Sequence, residues 1–339
     1  MIRIDGAEGG GQLLRTALAL SVVTGEPFEM TAIRATRPSP GLKAQHLACV
    51  SVAEAVSDSR VEGAKQGSSK LRFTPNTVRP DPIDVDVGTA GSTTLVCETL
   101  LPVAVALEEP LQLTVTGGTD VRWSPPVDYL QYVKRPLCGK FGVEFDIDVR
   151  RRGFYPAGGG RLSMTVYPAD STPLDFASAR DPVSELTCYS VASESLRSAN
   201  VAHRQLSGVT DALAESGIEA PVTTSATYAK SSSPGTVVVL VAHAGEAIAG
   251  FNAYGEKGVP AERVGAKTVQ QFRDWMASDA PLDRYMADQL LVWVALVGGR
   301  ISVPEVTNHV RTNIEVIRAF GFDVTLREAP TGAVVERVE

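Results

Sequence analysis

The residue types able to do covalent chemistry in this sequence centre on His309, in the stretch Pro304–Phe320. Arg300-Ile301-Ser302-Val303 reads as a short strand, and Val310, Ile314 and Ile317 recur at i, i+4, i+7, the spacing of one helix face. This puts His309 on or near the first helical turn, with Thr307 or Asn308 as N-cap. The positive end of a helix dipole disfavours imidazolium, so the ring keeps a nitrogen lone pair able to attack an electrophile. The unpaired amides of the same turn suit a bound phosphate. The competing reading is a capping or packing histidine without chemistry, and the other residues must decide between the two.

Asp5-Gly6-Ala7-Glu8-Gly9-Gly10-Gly11-Gln12 lies where a strand feeds a helix, a geometry in which bare backbone amides can cradle phosphate. It matches neither the GxGxxG nor the GxxxxGK[ST] pattern, so dinucleotide and P-loop readings fail. Glu8 can hold a magnesium ion against phosphate oxygens, or simply favour the helix N-terminus. Arg15, on the first turns of that helix, and Arg34 and Arg37, after the next strand, supply guanidinium groups for bidentate phosphate recognition, with solvated surface arginines as the alternative. Arg150–Gly160 mixes guanidinium groups, aromatic rings and flexible backbone, among them Arg152 and Tyr155, which suits a nucleic-acid strand. Tyr285 and Asp288 share a helix face with Gln289 beside them, and a ring plus a carboxylate there can clasp a base and ribose hydroxyls.

Composition narrows the field. The chain has 339 residues, 44% hydrophobic and 21% charged, enough for two domains or one elaborated domain with a sizeable core. A net charge of −7 argues against a protein that coats nucleic acid non-specifically, though a local basic groove stays open. Cys49, Cys97, Cys138 and Cys188 are isolated, with no spacing for a disulfide framework or a zinc site, so a reducing cytoplasm is expected. No stretch approaches the length of a membrane span.

Positioning these residues requires an α+β fold with an internal repeat. Ile2–Asp5, Gly11–Val23, Phe28–Arg34, Leu42–Val56, Arg60–Ala64 and Lys70–Thr74 read βαβαββ, and the order recurs from Ile83 to Tyr167. Glycine-rich turns precede the first helix of each unit, and proline-containing turns precede the second. A third copy reads as split, opening at Leu186–Ala192 and resuming with helices Arg284–Val297 and His309–Phe320 around strand Ile301–Val303. The insertion between them reads as a small α/β domain. The division expected is a core of 1–182 and 278–339 with an inserted domain over 183–277.

Together DGAEGGGQLLR (5–15), IRATRPSPGLKAQH (33–46), GTAGSTTLV (88–96), GGTD with PPVDY (117–129), RGFYPAGGG (152–160), GEKG (255–258), YMADQL (285–290) and HVRTN (309–313) resemble the RNA 3'-terminal phosphate cyclase family over essentially the whole chain. The resemblance implies three βαβαββ units with a thioredoxin-like domain inserted in the third, and ATP-dependent conversion of an RNA 3'-phosphate to a 2',3'-cyclic phosphate. It implies that His309 is adenylylated, that Glu8 and Glu98 lie at a Mg2+ (or Mn2+) ion, and that Gln12, Arg15, Arg34, Arg37 and Gln45 serve the ATP phosphates. Pro125, Pro126, Tyr285, Asp288 and Gln289 then form the adenosine pocket, and His46, Arg152 and Tyr155 fall at the RNA end. Two departures are visible: the glycine loop is shorter than the family's usual form, and Glu98 stands where glutamine is usual. A non-catalytic ribosome-assembly branch of the same superfamily and an enolpyruvyl transferase are the alternative functions. The presence of His309 speaks against the first, and RGFYPAGGG with HVRTN against the second.

Overall fold

The computed structural model describes residues 1–328 and 332–338. The chain begins with strand β1 (Ile2–Asp5), helix α1 (Gly11–Thr24) and strand β2 (Phe28–Thr31), which pairs parallel to β1. Helix α1 buries Leu13, Leu14 and every residue from Thr16 to Val22, and an α-helix buried on all sides has to be enclosed by other elements. It stops at Gly25, whose left-handed φ of 74° lets its N–H return to the Ser21 carbonyl. Helix α2 (Ala44–Ser57) and strands β3 (Arg60–Glu62) and β4 (Leu71–Thr74) complete a sheet of order β1-β2-β4-β3.

A second sheet has the corresponding order, β5-β6-β8-β7. It consists of β5 (Ile83–Asp86), β6 (Leu111–Gly117), β7 (Phe145–Arg151) and β8 (Gly160–Val166). Its first helix, α3 (Thr93–Leu100), tightens into a 3₁₀ turn over Leu101–Ala106, where Pro102 withdraws a backbone donor. Its second helical run is continuous, α4 (Val127–Tyr129) passing through a π turn, Leu130–Lys134, into α5 (Arg135–Gly139) with helical backbone at both junctions.

The third sheet corrects one expectation. Strand β9 (Leu174–Phe176), not Leu186–Ala192, lies parallel to the later strand over Gly299–Val303. The run expected to open a third unit is β10 (Glu185–Ser193), the second strand of a separate sheet with β11 (Val222–Ala229), β12 (Thr236–Ala244) and β13 (Ala247–Tyr254), in the order β11-β10-β12-β13. The physical reason is burial on both faces. Leu186 and Cys188 pack with Leu240, Phe251, Phe272 and Trp275 beneath helices α6 (Val201–Glu215) and α7 (Ala261–Met276), while Val191 of the opposite face joins Val237, Val239 and Val241 in the main core. Only three residues of β9 pair, too few to leave a period in the sequence.

Helix α8 (Arg284–Val297) leads into β14 (Gly299–Val303), then α9 (Asn308–Ala319), β15 (Val324–Glu328) and β16 (Ala333–Arg337), giving the sheet order β15-β16-β14-β9. The chain is thus an α+β protein whose central helices share one apolar core, with Leu18, Cys49, Val96, Leu290 and Ile314 all within it. Among the described residues, no helix is long and apolar enough to cross a membrane.

Candidate active site

Packing of α1 against α9 brings two helix N-termini together. At the first, Gly10 is the N-cap and offers no side-chain bond, so the amides of that turn lack a side-chain acceptor. At the second, Thr307 is the N-cap, its hydroxyl accepting the Val310 N–H at 3.2 Å, and His309 is the second residue of the helix. A Cβ on Gly10 would lie 3.4 Å from His309 Cε1 and 3.7 Å from Arg37 Nη2. On Gly11 it would lie 2.6 Å from His46 Nε2 and 3.3 Å from Arg15 Nη1. Four side chains that are far apart in sequence therefore converge on two consecutive glycines; the missing side chain leaves the backbone open at Gly10 and makes room for His46 at Gly11.

The electrostatics are those of an anion site. Burial and then the positive charges of Arg37, Arg15 and Arg284 hold the His309 pKa below that of a free imidazole. His46, buried and near Arg34, Arg15 and Lys43, is brought down to about 4. Its Nδ1 accepts the Lys43 backbone N–H at 3.0 Å, which fixes the neutral tautomer with hydrogen on Nε2, the nitrogen that faces Gly11. His46 is thus a neutral N–H donor aimed at the glycine turn, and His309 a neutral ring beside it.

The remaining predicted residues divide. Gln12 Nε2 donates to the Asp288 carbonyl at 3.4 Å, tying α1 to α8. Arg34 takes a left-handed φ of 55° and donates to the carbonyls of Ser39 (2.9 Å) and Gly41 (3.1 Å), so it shapes the 34–41 loop that presents Arg37. Gln45 forms a reciprocal pair with the Ser92 backbone, at 3.1 and 2.8 Å, and holds the 88–92 turn against α2. The Pro125 carbonyl accepts from Thr94 Oγ1 at 2.7 Å, and Pro126 begins α4. Tyr285 is half exposed, with Arg284 over its ring at 5.7 Å. Asp288 has one carboxylate oxygen buried with no hydrogen-bond partner, and burial lifts its pKa to about 6 against the opposing charge of Arg284.

Two residues, Arg152 and Glu98, sit differently from what their sequence context suggests. Arg152 is only partly exposed, at 13% of its side chain, its guanidinium shared by Asp120 (3.1 Å) and by Asp128 through two bonds, the shorter 2.5 Å. It pins the 117–129 segment to the 152–160 segment and has no open face for a nucleic-acid backbone, whereas Tyr155 of the same motif is exposed. Glu98 has a side-chain exposure of only 7% and faces Lys134 Nζ at 3.3 Å, off the hydrogen-bonding direction, so Oε1 has an ionic partner but no hydrogen bond. Lys134 Nζ in turn donates to Gln289 Oε1 at 2.8 Å. Glu8 is exposed and lines a cleft of about 360 Å³ with Arg3, Asp5, Asn308 and Arg311.

Sequence reasoning passes over Lys134 and Asp283. Beyond its rarity in a lysine-poor chain, nothing in the mixed stretch Val127–Leu137 singles out the first. Asp283, fully buried, caps α8 through the Tyr285 and Met286 N–H groups and also accepts from Tyr129 Oη and the Gly250 N–H, each at 2.9 Å. Its capping role is legible in sequence, but the other two partners come from distant segments.

Two helix N-termini, two imidazoles with lowered pKa values and a cluster of guanidinium groups meet on an α+β scaffold, an arrangement chemically suited to an anion such as phosphate. Residues 6–326 match the family described as RNA 3'-terminal phosphate cyclase. The RNA 3'-terminal phosphate cyclase of Halobacterium salinarum is 40% identical over 343 residues, covering 98% of each chain. That of Pyrococcus furiosus is 39% identical over 322 residues, 94% of this chain and 93% of its own, and that of Pyrococcus abyssi 38% identical over 346 residues, covering both chains fully. The chain belongs to the RNA 3'-terminal phosphate cyclase family.

Proposed function

We propose that this chain converts the 3'-terminal phosphate of RNA into a 2',3'-cyclic phosphodiester, using ATP and a covalent histidyl-AMP intermediate. The observation that carries this reading is the neutral His309 ring placed with Arg37 against the open face of Gly10, where a phosphate can meet both. An imidazole nitrogen of His309 attacks the α-phosphorus, the N–P bond forming as the bond to pyrophosphate breaks. Arg15 and Arg37 take up the charge on the phosphates, and the His46 Nε2–H and the first amides of α1 donate to them. A 3'-phosphate oxygen of the RNA then attacks the adenylate phosphorus and His309 leaves as neutral imidazole. The 2'-hydroxyl next attacks the activated 3'-phosphorus, loses its proton, and AMP departs. Nucleophile and electrophile share one ribose in this step, so proximity supplies much of the acceleration.

Asp288, Gln289 and Tyr285, with Pro125 and Pro126, receive the adenosine, and Gln289 is oriented by Lys134. The fit to a divalent ion rests on Glu8. Among the described residues no group of three or more His, Cys, Asp or Glu converges, so Mg2+ or Mn2+ would be held by the exposed Glu8 carboxylate and triphosphate oxygens, as suits an ion that keeps few protein ligands. An ion held there would supply positive charge to the triphosphate beside Arg15 and Arg37. We assign Glu98 to Lys134 instead, since an ammonium already faces it. The scaffold is read as three βαβαββ units, 1–182 and 278–339, with a thioredoxin-like domain of 183–277 inserted in the third. Four buried free cysteines suit a reducing cytoplasm.

The test is incubation with α-labelled ATP and magnesium without RNA. Label should stay on the wild type as an acid-labile, alkali-stable phosphoramidate and be absent from His309→Ala. Label retained by His309→Ala, or an adduct on Lys43 or another lysine, sinks the assignment.

A further inference from the structure

Among the described residues the most exposed aromatic side chains are Trp123 at 94%, Tyr155 at 74% and Tyr285 at 47%. All three project from segments bonded to one another. The 119–126 turn is fixed to the 152–154 segment by the Asp120–Arg152 pair and by the Thr119 and Asp120 N–H groups, both donating to the Gly153 carbonyl. It is fixed to the 254–256 segment by Tyr254 Oη donating to the Ser124 carbonyl at 2.8 Å and by Arg122 paired with Glu256 at 2.7 Å. Tyr285 starts the helix whose cap, Asp283, binds Tyr129 of the helix that follows this turn.

Tyr155 and Tyr285 have roles in the reading above, and Trp123 has none. It carries two local penalties: a large apolar face left in water, and a left-handed backbone (φ 65°) that a bulky side chain adopts only when its surroundings impose it. The turn does impose it, since Ser124 Oγ donates to the Val121 carbonyl at 2.8 Å, Val121 is buried and Pro125-Pro126 follow. The indole is therefore held out by a stiff turn. Strain of this kind is concentrated at ligand-contacting sites.

We infer that Trp123 is a stacking platform for a base of the RNA strand close to its 3' end. This rests on the reading of the chain as an enzyme acting on RNA ends. Every base has a π face, so such a platform tolerates any sequence. Both neighbouring guanidinium groups are already committed, Arg122 to Glu256 and Arg152 to Asp120 and Asp128, so the contact is with a base and not with the backbone phosphates. The strand is favoured over the adenine of ATP because a side chain 94% exposed offers an open face with no opposing wall, which suits a strand crossing the surface better than a ring held in a pocket.

The experiment uses the full chain and short single-stranded RNAs ending in a 3'-phosphate. The other two tryptophans, Trp275 and Trp293, are 6% and 1% exposed, so acrylamide-accessible emission belongs to Trp123. RNA should quench that emission and protect it from acrylamide, and ATP alone should leave it unchanged. In Trp123→Ala the dissociation constant for a fluorescein-labelled RNA should rise about 5- to 150-fold, the range for one base stacked on an aromatic ring. The dependence of affinity on salt should keep its slope, because no phosphate contact is removed. Trp123→Phe should fall between. Adduct formation from ATP and the melting temperature should match the wild type. Unchanged RNA affinity in Trp123→Ala, quenching by ATP with loss of adduct, or a lowered melting temperature each overturns the inference. A wild type that binds RNA through Trp123 yet forms no adduct would defeat the catalytic reading and leave this one standing.

Discussion

His46 fills the space beside Gly11 that any side chain there would need: a Cβ would lie 2.6 Å from its Nε2 and 2.9 Å from its Cδ2. The ring cannot simply swing away, because the Lys43 N–H holds its Nδ1. Gly11→Ala should therefore displace His46 and slow adduct formation, with an overpacking cost of about 1–3 kcal/mol partly offset by the better helix propensity of alanine. In a His46→Ala background the added methyl has room, so the double variant should melt no lower than His46→Ala alone. Thermal denaturation of the three variants checks the relation, and additive losses would refute it.

Positive neighbours set the pH at which His309 becomes a nucleophile. Burial, Arg37, Arg15 and Arg284 all lower its pKa, so the neutral ring should predominate at and somewhat below pH 6.5, where a free imidazole is half protonated. The rate of adduct formation should hold up through that pH and fall only in more acidic buffer. In Arg37→Ala the rate should drop and its acidic limb should move to higher pH. An unmoved limb would mean that Arg37 does not act on the imidazole.

Asp288 should make ATP binding acid-sensitive. Its carboxyl, lifted from 3.8 to about 6 by burial, is the ionised partner for ribose hydroxyls only above that pH. The KM for ATP should rise as pH is lowered through 6, and Asp288→Asn should be weaker at pH 8 and flat with pH. The sign for stability is opposite. The native carboxyl holds a proton that the unfolded chain has released between pH 3.8 and about 6, so this group's contribution to stability falls as pH rises through that window. Ligand-free Asp288→Asn should accordingly melt above the wild type at pH 8, the gap narrowing as pH falls through that window.

Glu98→Gln separates a metal ligand from a counter-ion. Breaking a buried pair leaves Lys134 without its opposite charge, a loss of about 3–5 kcal/mol, while the magnesium concentration for half-maximal adduct formation should not move. Glu98→Gln with Lys134→Met should recover much of that stability but leave the KM for ATP raised, because Gln289 loses its donor. A shifted magnesium titration in the single variant would return Glu98 to the metal.

Much of the scaffold is legible in the sequence because its long elements are strongly marked: α9 carries apolar residues at helical spacing, α1 and α8 are apolar runs of helical length, and β12 is a shorter apolar run bounded by turns. What escapes is set by tertiary partners. Three-residue β9 has no period, and β10 reads as a core strand because it is one, though of another sheet. In the site, His309 is legible from its strand-to-helix position. Arg152 misleads, because nothing near it in sequence announces Asp120 and Asp128, and the Glu98–Lys134 pair spans two helical segments that only folding brings together.

Asp283 has a mechanical consequence. One carboxylate caps the helix that carries Tyr285, Asp288 and Gln289, and the same carboxylate receives the Gly250 N–H of β13 and the Tyr129 hydroxyl. The sheet over 185–254 cannot shift against this junction without loosening the first turn of α8. The junction is a shared pin, one carboxylate fixing the first turn of α8 and the edge strand of the appended sheet at once.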